Sequence, residues 1–229
     1  MRQIAKTSLV ILAVIAALVW LGIKTKANVP EVPPNTWAAT GDVSQVRAGA
    51  AGTLLVDGHL LMTGGVGENG VTASAERYSP DGGSFIASAP MQDPRANHTS
   101  TLLQDGRVLV AGGMGTDGRA MAGAEIYDPS VNAWTPVGSL NVARRGHTAT
   151  LLGDGKALVA GGDDNGVATD TLEVFDPGTM TFTRLDAVLN AARTLHAAAA
   201  LADGRVLIAG GYDGTNPLAS TAIYDPKDG

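Results

Sequence analysis

The chain has 229 residues, 45% hydrophobic and 17% charged, with a formal net charge of −6. That length holds one large domain with a sizeable core, or two small ones. The absence of cysteine excludes disulfides, thiolate metal sites and a lipid-modified cysteine.

Residues 1–27 stand apart. Residues 7–23 form an uncharged, mostly aliphatic run that follows Arg2 and Lys6. As a helix it spans roughly 25 Å, short for a bilayer and long for the apolar stretch of a signal peptide. Trp20 sits near its outer end, and Lys24 and Lys26 follow, as at a membrane interface. The expectation is an uncleaved signal anchor in the membrane. A signal peptide cleaved after Ala27 and a buried core helix are the alternatives. Anchor and signal peptide both place the rest of the chain outside the cytoplasm, periplasmic or extracellular. Residues 28–34, NVPEVPP, read as a Pro-rich linker. After residue 27 there are 12 basic against 22 acidic residues, a net −10. No basic patch exists, so nucleic acid is not an expected partner.

From residue 35 onward the chain repeats. Gly64-Gly65, Gly112-Gly113, Gly161-Gly162 and Gly210-Gly211 are spaced by 48, 49 and 49 residues. Arg47, Arg95, Arg144 and Arg193 each precede a pair by 17. An Asp-Gly lies between Arg and Gly-Gly in every copy, as in Asp154-Gly155. An aromatic and a turn follow: Tyr78-Ser79-Pro80, Tyr127-Asp128-Pro129, Phe175-Asp176-Pro177 and Tyr224-Asp225-Pro226. A second aromatic comes next at Phe85, Trp134 and Phe182.

Taken in chain order, each copy predicts four antiparallel strands. Two apolar runs flank Asp-Gly and form a hairpin, expected to close through a two-residue type I′ turn. The Gly-Gly ends the second strand and permits close backbone approach. A polar loop leads to an alternating third strand, such as residues 171–175. The Asp-Pro turn leads to a fourth strand carrying the second aromatic, such as residues 133–138. Four strands at this period predict an all-β protein, a β-propeller of four-stranded blades.

The Gly-Gly after the second strand, the Tyr-Asp-Pro, and a Trp seven residues beyond the Tyr (Tyr127 to Trp134) carry a resemblance. The chain resembles the kelch-repeat family, and more closely its bacterial galactose-oxidase-like branch, over residues 35–229. The resemblance implies the fold; kelch propellers host unrelated roles. Galactose oxidase chemistry uses copper and a Tyr crosslinked to a Cys. That chemistry cannot be carried onto a chain without Cys.

Trp37 precedes Arg47 by 10, as Phe85 precedes Arg95 and Trp134 precedes Arg144. Residues 35–42 therefore read as a fourth strand without its first three. The last copy stops after its third strand, so residues 35–42 are expected to complete the last blade and close a four-bladed ring. Truncation within a larger propeller, or two chains pairing into eight blades, are the alternatives.

Three sets of residues are candidates for chemistry. His98, His147 and His196 recur three residues after the Arg, where the first copy has Ala50. They are weak candidates for a three-His metal site, against a repeated structural role bonding a neighbouring blade's backbone; no metal or other cofactor is expected. Arg47, Arg95, Arg144 and Arg193 could grip anionic groups. Their alternative is a salt bridge between blades to Glu76, Glu125 and Glu173, with Ala222 in that place in the last copy. The loops after Gly-Gly differ most between copies and are expected on the same face as those arginines. They supply Asp117, Asp163, Asp164 and Asp213 as further candidate binding residues; Asp163, Asp164, Asn165 and Asp170 match no calcium loop closely.

No catalytic motif is present. The expected function is a membrane-tethered or exported module that binds a protein or glycan on the loop face. The alternative is a carbohydrate-active enzyme of lyase or mutarotase type. It needs the arginines and a base such as His147 or His196 to converge on one pocket.

Overall fold

The computed structural model describes residues 33–227. The expected membrane run and the cleavage position lie outside the described residues. Among those described, no helix is long and apolar enough to cross a membrane.

Among the described residues, nineteen strands form four blades and two small hairpins. Blade 1 contains β1 (Ala51–Leu54), β2 (Leu60–Thr63), β5 (Ala75–Ser79) and β6 (Ser84–Ser88). The hairpin β3 (Val66–Gly67) and β4 (Gly70–Val71) fills its second loop. Blade 2 contains β7 (Thr99–Leu102), β8 (Val108–Ala111), β9 (Ala124–Asp128) and β10 (Ala133–Pro136). Blade 3 contains β11 (Thr148–Leu151), β12 (Ala157–Ala160), β15 (Thr171–Asp176) and β16 (Thr181–Val188), with the hairpin β13 (Asp163–Asp164) and β14 (Val167–Ala168). Blade 4 has, among the described residues, three strands, β17 (Ala197–Ala200), β18 (Val206–Ala209) and β19 (Thr221–Tyr224). Each blade is an antiparallel meander, and the inner strands β1, β7, β11 and β17 are neighbours in that order.

The apolar cores lie between blades. Leu61 of blade 1 packs with Val108 and Val110 of blade 2. Leu109 and Ile126 of blade 2 pack with Val159 and Phe175 of blade 3. Leu158 and Leu172 of blade 3 pack with Val206 and Ile208 of blade 4. The second strand is apolar on both sides because it is covered on both faces. The paired aromatics are cross-strand partners: Tyr78 with Phe85, Tyr127 with Trp134, Phe175 with Phe182, at centroid separations of 4.9 to 5.1 Å.

Two expectations are corrected. The Asp-Gly hairpins do not close through a type I′ turn. Only the glycine has positive φ, at Gly58, Gly106, Gly155 and Gly204. In each, the glycine N–H donates to the carbonyl three residues back, as Gly155 to Leu152, and the loop is three residues long. The aspartate explains this: Asp154 Oδ1 accepts the N–H of Lys156, and Asp57, Asp105 and Asp203 do the same.

The second correction concerns residues 35–42, which form no strand. Residues 41–42 belong to the unit that holds the blades, and residues 35–40 group with residues 80–83 in a separate unit. Within that unit Thr36 bonds back to Pro33, and Thr40 Oγ1 donates to the Gly83 carbonyl. Trp37 is fully exposed. One large apolar side chain offers little burial to offset the ordering of eight residues. The spacing to Arg47 marks the approach to blade 1 and does not by itself supply a ladder.

Candidate functional site

The arginines were the main sequence candidates, and the fold consumes them. Arg95, Arg144 and Arg193 are 0% exposed. Arg144 Nη1 donates to the carbonyls of Gly161 and Thr171, and Nη2 donates to Thr171 Oγ1 and to Glu173 at 2.6 Å. Arg95 reaches Gly112, Gly123 and Glu125 in the same way, and Arg47 reaches Gly64, Ser74 and Glu76. Arg193 has Ala222 where the others find glutamate. It bonds Gly210, Ser220 and the Asn190 Oδ1 instead. These guanidiniums are not available to an anion on the loop face, which corrects the binding role expected for them.

The ion pairs lie within blades rather than between them. Each glutamate also accepts backbone N–H groups from the segment leading into its blade: Ser44, Gln92 with Asp93, and Asn141 with Val142. The Arg–Glu pair thus clamps that segment to the third strand. Burial pulls the Arg144 pKa down, and the Glu173 charge opposes it.

The histidines act between blades, and their partners are threonine hydroxyls, which corrects the backbone partner expected. His98 Nε2 meets Thr63 Oγ1 of blade 1 at 2.8 Å, His147 meets Thr99 of blade 2 at 3.0 Å, and His196 meets Thr148 of blade 3 at 2.9 Å. The Nδ1 atoms of all three are buried without a hydrogen-bond partner among the described residues. Burial, then the positive charge of the neighbouring arginine, lowers His98 and His147 to about 3 and His196 to about 4. They are neutral at ordinary pH. Each serves a different junction, and no group of three metal-ligating side chains exists among the described residues. The three-His site is therefore not formed, and the enzyme alternative loses the convergence of arginine and histidine it required.

The loops after Gly-Gly remain. Ala48, Ala96, Arg145 and Thr194, each one residue past the repeated arginine, form bridges to Val66, Met114, Asp163 and Tyr212. The loops and the Arg-bearing segments therefore share one face, as expected. Asp117 Oδ1 accepts the Arg119 N–H, and Asp213 Oδ1 accepts the N–H groups of Thr215 and Asn216. Those bonds hold the Asp213 carboxyl below its ordinary pKa. Asp164 accepts from Asn165 Nδ2. Asp163 is buried against Arg145, whose Nε donates to it at 2.9 Å. Beside that pair lies a cavity of about 290 Å³ lined by Asn97, Arg145, Gly146, Asp163, Thr194 and Leu195.

Residues 84–229 match the family model for the KLHDC2/KLHL20/DRC7 Kelch-repeats domain. The chain belongs to the Kelch-repeat family. Among solved structures it is similar to the one titled "Structure of YjhT", with 20% identity and a TM-score of 0.67 over 77% of this chain and 63% of that one. That likeness shows the fold, and the chain spans about 63% of the length of that neighbour. The comparison with curated proteins found no match.

Within this kelch propeller, sequence reasoning chose Arg144 and missed Arg145. The signal was present: Ala48, Ala96 and Thr194 hold the equivalent place, so Arg145 is the one charged departure. It also missed a second concavity, of about 650 Å³, on the opposite face between the first two Asp-Gly hairpins. Asp57, Asp105, Arg107 and Asp128 contribute to its lining. Arg107 is already paired to Asp105 there.

Proposed function

We propose that this chain is an exported, membrane-tethered kelch module that binds a protein or glycan ligand through the loops after Gly-Gly. The observation that carries the reading is a division of labour. Repeated polar residues, the arginines, glutamates and histidines, are buried and bonded within the fold. Unrepeated polar residues, Asp117, Arg119, Asn165, Asp213 and Asn216, stand in the loops after Gly-Gly, and Arg145 lines the cavity on that face. Variable side chains on a rigid frame suit selective binding. Kelch propellers serve generally as interaction modules, which agrees with this use. The apolar run at residues 7–23 supports the tether.

The test compares the full chain with a variant whose four loop tips are replaced by Gly-Ser, together with Arg145→Ala. Both are offered to the envelope proteins of the source cell and to a glycan panel, with unfolding temperature measured in parallel. Ligands retained by the chain and lost by the equally stable variants support the loop face. Undiminished binding by the variants overturns it. Protease protection of the propeller in intact cells but not in cells with opened envelopes tests the export.

A further inference from the structure

Three backbone hydrogen bonds recur at every junction between blades. The second glycine of each pair donates to the arginine carbonyl of the next blade: Gly65 to Arg95, Gly113 to Arg144, Gly162 to Arg193. That arginine's N–H donates back to the preceding loop: Arg95 to Thr72, Arg144 to Met121, Arg193 to Thr169. Two residues on, a left-handed residue donates to its counterpart one blade earlier: Asn97 to Gly49, Gly146 to Asn97, Leu195 to Gly146.

The two outer faces hold the unmatched halves of this set. Blade 4 presents the Gly211 N–H and the carbonyls of Leu218 and Leu195. Blade 1 presents the Arg47 carbonyl and the N–H groups of Arg47 and Gly49. None of these six groups has a hydrogen bond among the described residues. Donor faces acceptor in every pair. The side chains agree: Leu207 of blade 4 is half-buried and Ile223 is 54% exposed, where their blade 2 counterparts Leu109 and Ile126 are 1% and 3% exposed. Leu54, Leu60 and Met62 offer apolar surface on blade 1.

The histidine bond identifies which blade belongs there. A following blade normally brings a histidine and needs a threonine hydroxyl to receive it. Blade 4 has none, because Ala197 faces Ala209 at that step of the ladder. Blade 1 alone brings no histidine, because Ala50 stands in its place. The hydroxyl is missing on one face and the imidazole on the other.

We propose that blade 4 of one chain docks on blade 1 of a second copy, reciprocally, so that two chains associate and share eight blades. A generic kelch blade would bury an unpaired histidine against Ala197 and Ala209; blade 1 does not. Eight blades lie within the range that propellers adopt.

The test uses the full chain in mild detergent, with mass measured by light scattering. Gly210→Ala is the key variant. Its added carbon meets nothing closer than 3.6 Å in the single chain, whereas the equivalent carbon at Gly112 or Gly161 falls 2.5 Å from the next blade's arginine carbonyl. The chain is expected at twice its mass, and Gly210→Ala at its single mass with unchanged circular dichroism. The chain lacks cysteine, so Leu54→Cys in one copy and Ile223→Cys in another can be joined by a short bis-maleimide. Their counterparts Leu151 and Ile126 share one core cluster. The mixture is expected to give at least tenfold more crosslinked dimer than either variant alone. A monomeric chain, a dimer that survives Gly210→Ala, or linkage found only within one chain carrying both cysteines overturns the proposal.

Discussion

Gly112 lies directly against the carbonyl of Arg144 in the next blade. A carbon added to Gly112 would fall 2.5 Å from that oxygen and 2.8 Å from the His147 ring. The first glycine of the pair is therefore fixed by a neighbouring blade as well as by its own φ of 60°.

Replacing it should separate the two requirements. Gly112→Ala is expected to lower unfolding stability by about 4 kcal/mol, since backbone and ring must both shift. Gly210→Ala, measured in the dissociated chain, should cost about 1 kcal/mol, the strain of a left-handed alanine. Denaturant midpoints at low protein concentration check this. Equal losses would show that close approach is not what these glycines serve.

Thr63 offers a sharper test of the junction. Blades 2 and 3 receive the histidine on the first residue of their inner strand, Thr99 and Thr148. Blade 1 has Ala51 there, and Thr63 directly across the ladder takes over. Thr63→Ala should cost about 1–3 kcal/mol by leaving the His98 nitrogen buried and unpaired. Adding Ala51→Thr should recover most of the loss. Failure to recover would mean that position on the ladder, and not the hydroxyl, decides the contact.

The same histidines set an acid limit. Their folded pKa values of about 3 to 4 lie below the ordinary 6.5. The unfolded chain therefore binds more protons than the folded one below pH 6.5. Their stabilising contribution is fully present above pH 6.5 and is lost as pH falls towards 3. The loss is about 2 kcal/mol for each imidazole between pH 6.5 and 5. Urea midpoints across that range should decline steeply, and His147→Gln should flatten the slope by one proton. An unchanged slope would place the titration elsewhere.

Glu173 is the least exposed of the paired carboxylates, and its loss strands a buried guanidinium. Glu173→Ala is expected to destabilise by about 3–5 kcal/mol, and Glu173→Leu with Arg144→Met by clearly less. Differential scanning calorimetry of the three chains checks the order. Blade 4 anticipates the result, since Arg193 is satisfied there by Asn190 and Ser220 without any carboxylate.

The blades were legible because each mark has a local cause that recurs: hairpin, glycine pair, aromatic pair. The roles of the repeated polar residues were not. Arg144 and Arg145 are adjacent in the chain, yet one is buried within its blade and the other borders a cavity. Both lie outside the strands, and only the bridge from Arg145 to Asp163 distinguishes them. Residues 35–42 had the right spacing for a strand, but spacing cannot supply a ladder partner. A histidine bond to a neighbouring blade is legible in the repeat, but its partner is a hydroxyl and not the backbone, and that hydroxyl moves from β7 and β11 to β2, which no comparison of copies by position reveals.

That displaced hydroxyl has a consequence for any attempt to shuffle these blades. Its location in space is kept while its location along the chain shifts by 12 residues, from Ala51 to Thr63. Copy one, scored position by position, has lost a conserved feature; scored by rungs of the ladder, it has lost nothing. A chimaera assembled by swapping single strands would therefore duplicate the hydroxyl at one seam and delete it at another. Whole hairpins moved from the first three blades would keep every junction served, whereas the blade 4 hairpin, with Ala197 facing Ala209, would serve none.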